Sequence, residues 1–332
     1  MSEKSSDVPA DIRDLLPWVR RQLGVTDVRE FGRRYAVVIL FVGLALTLSI
    51  ASEAFLRPQN LLNILSQSAP LVIIATAGTL VIIAGGFDLS TGAIFGVVAV
   101  ASAWTAVNVN PVLALLMGPA VGLALGTLNG LIITVFAVHS FLATLATSLV
   151  FRGLAIFISG GFLIPVTEPT FKLLGQGAVG PVSIAVFVLF TWTFLLSFGL
   201  RRTTLGRYIF AVGGNAEAAE LSGVAVRRIQ VVTFAFSGLA AGIASAISTS
   251  KIATGQATAG SGLELQAIAA VVLGGTSILG GEGAVWRSVL GVLLLALIGN
   301  GFNLLNADPF LRDLTTGLVI IFAVALSAGR HR

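Results

Sequence analysis

The chain has 332 residues, of which 56% are hydrophobic and only 11% charged, with a mean hydropathy of +0.97. Soluble chains carry about 25% charged residues, so a domain this poor in charge could not cover a surface in water, and the composition places it in lipid. Cysteine is absent and histidine occurs twice, which excludes disulfides, thiol nucleophiles and His-rich metal sites.

The first 34 residues are polar, with seven basic and six acidic side chains. A secretory signal carries its apolar core much nearer the start, so no cleaved signal is expected. Asp11 to Leu23 mixes Leu, Ile and Trp with Arg. That pattern fits a segment lying along the inner membrane face; a disordered tail fits it equally well, since Pro17 interrupts any helix there.

Past residue 34 the gaps between charged residues trace the spans. A helix needs about 20 apolar residues at 1.5 Å each to cross about 30 Å of hydrocarbon. Spans are therefore predicted at 35–52, 69–86, 88–107, 112–136, 141–160, 181–200, 229–250, 265–282, 287–305 and 313–329. The stretch 89–151 runs 63 residues without a charge and must hold more than two spans. Asn108-Val109-Asn110-Pro111 and His139-Ser140 supply its turns. The span at 265–282 is short and rich in glycine, and so a candidate for a broken or re-entrant helix. The fold expected is all-α: a polytopic transmembrane helical bundle of about ten spans, with one or more broken or re-entrant helices. It divides into a segment 1–34, a membrane domain 35–329 and a tail 330–332.

Lys and Arg set the orientation. With the N-terminus inside, fifteen fall in inner segments and four (Arg57, Lys172, Lys251 and Arg312) in outer ones, Arg152 lying within a span. Both termini are expected in the cytoplasm. The net charge of +5 then reflects orientation, and no nucleic acid partner is expected. None of the three lysines, Lys4, Lys172 and Lys251, follows a glycine, so no GK[ST] phosphate loop exists. If nucleotide drives this protein, another chain binds it.

Asp88 and Arg152 are ionisable residues in or beside apolar segments, where such groups mark pathways or buried pairs. For Asp88 the position before Leu-Ser-Thr-Gly favours a helix cap that accepts backbone N–H groups. Arg152 lies about twelve residues into its span and is expected to pair inside the protein. There is also an internal echo. Gly85 to Gly92 (GGFDLSTG) and Gly274 to Gly281 (GGTSILGG) share the pattern GGxx[LI]xxG, as broken helices lining a transport path would; chance competes strongly where glycine is so abundant. Gly86, Asp88, Asn129, Arg152, Gly274 and Gly275 are the candidates for a translocation path.

The loop 201–228 is the longest inner one. Gly213-Gly214 reads as a flexible approach, Asn215 as an N-cap, and Ala216 to Ser222 as a helix of about two turns. Glu217 stands in the first turn, where the helix dipole favours an anion, and Gly223 where a left-handed cap belongs. A helix this short is marginal in water without packing, which docking into another protein would supply.

Glu217-Ala218-Ala219 followed by Gly223 resembles the EAA–x3–G loop of ABC importer permeases. The wider run Gly206 to Val224 is similar to the form found in the ribose, xylose and galactose branch. Gly85 to Gly92 and Gly262 to Gly283 (GLELQAIAAVVLGGTSILGGEG) agree as well, and the resemblance covers about residues 35–329. His139 departs from the usual proline, and Arg287 from a usual glycine, which puts tight helix packing there in question. The resemblance implies a permease subunit in a bacterial inner membrane, paired as a homodimer. It implies a cytoplasmic ABC ATPase and an extracytoplasmic sugar-binding protein as partners. No cofactor is expected on this chain; ATP and magnesium belong to the ATPase. Gly213, Gly214, Asn215, Glu217, Ala218, Ala219 and Gly223 become the ATPase-coupling residues.

The competing reading is an ion-coupled secondary transporter, resting on Asp88 and Arg152. An intramembrane hydrolase is disfavoured: His139 has no serine in register, and Asp88 is read as alone at its depth, with Glu264 at the outer end of its span. No catalytic residue is assigned. Most aromatics are phenylalanine, 21 of them against four Trp and two Tyr. That suits a weakly binding path, with specificity left to the binding protein and the sugar itself open.

Overall fold

A computed structural model of the chain describes residues 28–308 and, beyond them, residues 311, 314, 315, 317, 318 and 321. The segment Asp11 to Leu23, the tail 330–332 and most of the tenth predicted span lie outside the described residues.

The described chain is built from helices. In order they are α1 Val28–Ala51, α2 Pro58–Ile83, α3 Thr91–Asn108, α4 Pro111–Val135 and α5 Ser140–Ser159, then a short α6 Pro169–Gln176. There follow α7 Ile184–Arg202, α8 Thr204–Gly214, α9 Ala216–Leu221, α10 Val226–Ile252, α11 Leu263–Leu273 and α12 Val285–Leu304. Four two-residue strands form two small antiparallel pairs: β1 Ile164–Pro165 with β4 Thr254–Gly255, and β2 Ala178–Val179 with β3 Val182–Ser183.

Seven helices, α2, α3, α4, α5, α7, α10 and α12, are long and apolar enough to cross a membrane. The first predicted span is met by α1, whose apolar part is Val37–Ala51. The eighth is met by α11, whose eleven residues extend only about 16 Å, too short to cross. The break expected at 265–282 is therefore present, and the chain turns through glycines between α11 and α12. The second span was placed too late in the chain: α2 starts at Pro58, in the first turn where proline fits, and continues through Pro70 for 26 residues.

The most extensive helix pairing is α4 on α10. Gly118, Gly122, Gly126 and Gly130 recur every fourth residue on α4 and meet Gly238, Gly242 and the backbone at Phe234 and Val231 on α10. A β-carbon on Gly122 would run into the carbonyl of Gly238, and one on Gly238 into that of Gly122. With lipid outside, helices gain little from hydrophobic exclusion, and small residues let dispersion act at short range. Around this pair α2 is buried along its second half, from Val72 to Ile83. It is tied to α7 by Trp192 Nε1, which donates to the Ile73 carbonyl at 3.1 Å. It is tied to α12 by Thr79 Oγ1, which donates to Ser288 Oγ at 2.7 Å.

Candidate functional site

The loop after α7 begins with a helix that the sequence reading missed. Thr203 caps α8 by accepting from Gly206 N, and Gly206, Ile209 and Val212 bury one face at a spacing of three. Gly213 and Gly214 are the last turn of α8, which corrects the flexible approach expected of them. Gly213 is in close contact: a β-carbon there would overlap the Ile83 carbonyl oxygen and lie 2.7 Å from Gly281 N. Gly281 N in turn donates to that same Ile83 carbonyl at 2.9 Å.

Asn215 closes α8 and opens α9, its Oδ1 accepting from Ala218 N at 2.9 Å. Glu217 occupies the first turn as expected. Gly223 adopts φ +86°. Its N–H donates to Glu220 O at 2.9 Å and Val224 N to Ala219 O at 3.0 Å, the double bond of a Schellman end. Ala219 is buried, whereas Glu217, Ala218 and Gly223 are exposed and Leu221 is 84% exposed. The short helix thus presents an acidic first turn and a bare leucine on a rigid base.

That base is made from the two echoing motifs. α2 ends at Gly85, φ +82°, with Gly85 N bonded to Ile82 O and Gly86 N to Val81 O. α11 ends at Gly275, also φ +82°, with Gly275 N bonded to Val272 O and Thr276 N to Val271 O. The two ends are alike, but Gly85 matches Gly275, one residue off the register of the sequence pattern. Gly280 packs on Gly85 and Gly281 on Gly214, so both motifs meet the end of α8. Gly274 lies against the backbone of Arg287. Packing there is tight despite the arginine, because its guanidinium turns over the Trp286 ring at 5.5 Å.

Beyond Gly86 the chain runs without regular structure to Ser90, along the start of α5. Phe87 N donates to Ser140 Oγ and Leu89 N to Thr144 Oγ1, both at 3.0 Å. His139, in place of proline, caps α5 by accepting from Phe141 N. Gly86 lines a cavity of about 140 Å³ with His139, Ser140 and Gln230. Asp88 is buried, and its Oδ1 accepts from Ser90 N at 2.9 Å and from Ser90 Oγ at 2.5 Å. Ser90 holds the N-cap position of α3 without a side-chain capping hydrogen bond; Asp88 shapes the turn leading into the helix. Asn129, fully buried on α4, donates Nδ2 to Ser90 Oγ at 2.6 Å, which links two of the predicted path residues through one serine.

Two expectations fail. Arg152 is half-buried on α5 and makes no hydrogen bond or ion pair among the described residues, so the pairing predicted for it is not found there. Asp88 is not alone: it lines a small cavity together with Glu264. Glu264, in the first turn of α11, sits against Gly92 in the first turn of α3.

A polar opening lies elsewhere. A cavity of about 410 Å³ between α2, α11 and α12 is lined by Gln67, Ser68, Gln266, Asn300 and Asn303, with Phe95 from α3. Asn300 and Asn60 exchange carboxamide hydrogen bonds, while Gln67, Gln266 and Asn303 are exposed. Its size falls in the range of small-molecule sites, and carboxamides both donate and accept. None of Gly86, Asp88, Asn129, Arg152, Gly274 and Gly275 lines it. The signal missed was polar residues at helical spacing in apolar runs, as at Asn300 and Asn303.

Comparison with known proteins agrees with this arrangement. The family described as branched-chain amino acid transport system / permease component matches residues 60–324. The chain is 41% identical over 290 residues to the ribose import permease protein of Bacillus subtilis (strain 168), covering 86% of this chain and 90% of that one. It is 36% identical over 308 residues to the ribose import permease protein of Escherichia coli (strain K12), covering 88% and 96%. It is also 36% identical over 292 residues to the D-allose transport system permease protein of the same strain, covering 87% and 89%. No solved structure matches. These relatives favour a permease over an ion-coupled secondary transporter, and a transport subunit over an enzyme.

Proposed function

The chain belongs to the branched-chain amino acid transport system / permease component family, and from that premise we propose that it forms the translocation path for a monosaccharide in an ATP-driven importer. The relatives named for ribose and allose import support the substrate class. So does the cavity of Gln67, Gln266 and Asn303, whose carboxamides suit hydroxyl-rich solutes. The path lacks a charged clamp and binds weakly, as a conduit fed by a separate binding protein must.

Energy enters through α9. The observation that carries this reading is the seating of α8 and α9: Gly213 rests on the Ile83 carbonyl while Leu221 stays exposed two turns away. A cytoplasmic ATPase that grips α9 moves α8. Through Gly213 and Gly214, α8 moves the ends of α2 and α11, whose helices border the cavity. ATP and magnesium bind the ATPase, and this chain holds no cofactor. The path is completed by a second copy of the chain and is loaded by an extracytoplasmic sugar-binding protein. The topology proposed is ten membrane passages, α11 forming a broken one and residues 313–329 the last, in a bacterial inner membrane. Both termini are then cytoplasmic, in keeping with the Lys and Arg distribution.

The test is reconstitution of the chain in proteoliposomes with its ATPase and binding protein. Uptake of a labelled pentose or hexose should require ATP and the binding protein and ignore proton and sodium gradients. Uptake driven by a gradient without ATP would overturn the reading.

A further inference from the structure

The cavity shared by Asp88 and Glu264 measures about 10 Å³, room for about one water-sized sphere. Four oxygens that belong to its lining residues make no hydrogen bond of normal geometry: Asp88 Oδ2, Thr91 Oγ1, Ser237 Oγ, which lies beside the Asp88 carboxyl, and Glu264 Oε2. Three of these side chains are more than nine-tenths buried, with Asp88 6%, Thr91 3% and Ser237 1% exposed. The oxygens come from three directions: the segment leading into α3 with α3 itself, α10, and the first turn of α11. The rest of the wall is aliphatic, including Ile74 and Val271, and no Lys or Arg lines it.

Buried polar atoms are normally partnered, and a buried carboxylate needs a compensating charge more than it needs a hydrogen bond. Here two carboxyl groups face one small space. The N-terminus of α3 supplies a fraction of a positive charge, which cannot balance both. A water molecule would bridge the oxygens and bring no charge. Magnesium keeps several of its waters, for which a single-sphere cavity has no space, and calcium takes six to eight oxygens where four are offered. A small monovalent cation matches the size and the hard oxygen donors, and together with the α3 N-terminus it offsets most of the two negative charges.

We propose that Asp88, Thr91, Ser237 and Glu264 bind one sodium ion, which fastens the start of α3 to the start of α11. The ion is structural and is not carried with the sugar: the cavity shares no lining residue with the 410 Å³ opening. Sodium would set the seam against which the broken helix α11 moves, so its occupancy would govern stability and not the driving force. The inference is independent of which sugar is transported.

The test uses the full chain purified in detergent, with thermal unfolding followed in equal concentrations of sodium, potassium or choline chloride at one pH. Sodium should raise Tm by about 2–4 °C over choline, saturably, as ligand linkage requires. Asp88→Asn keeps the acceptor used by Ser90 and should remove the sodium increment, as should Glu264→Gln. If a variant fails to fold, the wild-type comparison of sodium with choline still decides. Equal Tm in all salts, a sodium increment that survives both variants, or stabilisation by calcium or magnesium alone would each overturn the proposal. So would a Tm that responds to pH and to no cation, which would show that the two carboxyl groups share a proton instead.

Discussion

Gly213 at the end of α8 lies on the carbonyl oxygen of Ile83 at the end of α2, with no space between them for a β-carbon. The relationship joins the loop that faces outward from the bundle to the glycine turn that ends a buried helix. Gly213→Ala should force the two apart, at a cost of roughly 1–3 kcal/mol for overpacking. The expected outcome is a lower Tm of the purified chain together with reduced ATP-driven uptake, whereas Gly214→Ala, with open space at its β-carbon, should be milder in both. Equal effects of the two substitutions would show that the Ile83 contact carries no weight.

The α4–α10 seam gives a second expectation. Gly122→Val would drive a side chain into Gly238 and Gly242 on the facing helix, and no rotamer avoids a backbone clash. Membrane abundance should fall sharply, by more than for Gly43→Val or Gly153→Val, whose β-carbons meet nothing within 4 Å. Quantitative immunoblotting of membranes for the three variants checks this order.

Much of the fold was legible because charge is so scarce. Gaps between charged residues located nine helical regions, and the glycines of 265–282 marked the one that breaks. What was missed had weaker signals. The span predicted at 69–86 leaves out the polar first turns of α2, which starts at Pro58 and continues through Pro70, as a packed membrane helix tolerates. No helix is predicted at α8, because its amphipathic face rests on only three small or aliphatic residues, Gly206, Ile209 and Val212. The glycine ladder of α4 stood in the sequence at a four-residue period and needed only to be counted.

The site was legible in part. The caps of α9 follow from local chemistry at Asn215 and Gly223, and both are found. The partners of Asp88 depend on where α11 begins in depth, which sequence spacing does not set. That is why Glu264 is expected apart from Asp88 and is found beside it. Asn129 was singled out as polar within a span, yet its role through Ser90 needed the packing of α4 against α3.

Asn129 and Ser90 supply a third expectation. Asn129 is the donor to Ser90 Oγ, whose own proton goes to Asp88. Asn129→Ala should cost about 1–3 kcal/mol for the lost partner. Asn129→Asp should cost more at neutral pH, because an acceptor then faces a hydroxyl whose proton is already committed. Thermal unfolding should rank wild type above Ala above Asp, and a reversed order of the two variants would refute the assigned direction of these bonds.

Gln266 offers a readout of the path itself. Its exposed carboxamide borders the 410 Å³ cavity. Gln266→Ala should slow sugar uptake by roughly 5-fold, the equivalent of one lost hydrogen bond, without weakening co-purification of the ATPase. Uptake equal to wild type at equal abundance would remove this cavity from the path.

The central claim is that α9 receives the ATPase and passes its motion inward, and Gly223 tests it most directly. Gly223 holds φ +86° with nothing within 4 Å of a β-carbon, so Gly223→Val strains the backbone by about 1 kcal/mol or more and clashes with no neighbour. Glu217→Lys, which sets a cation at the positive end of α9, should act in the same direction more mildly. The measurement is ATPase co-purified per permease, alongside uptake, for both variants at matched membrane abundance. Normal abundance with weakened ATPase capture and lost uptake is expected, most severe for Gly223→Val; capture and uptake equal to wild type in both variants would rule out coupling through α9.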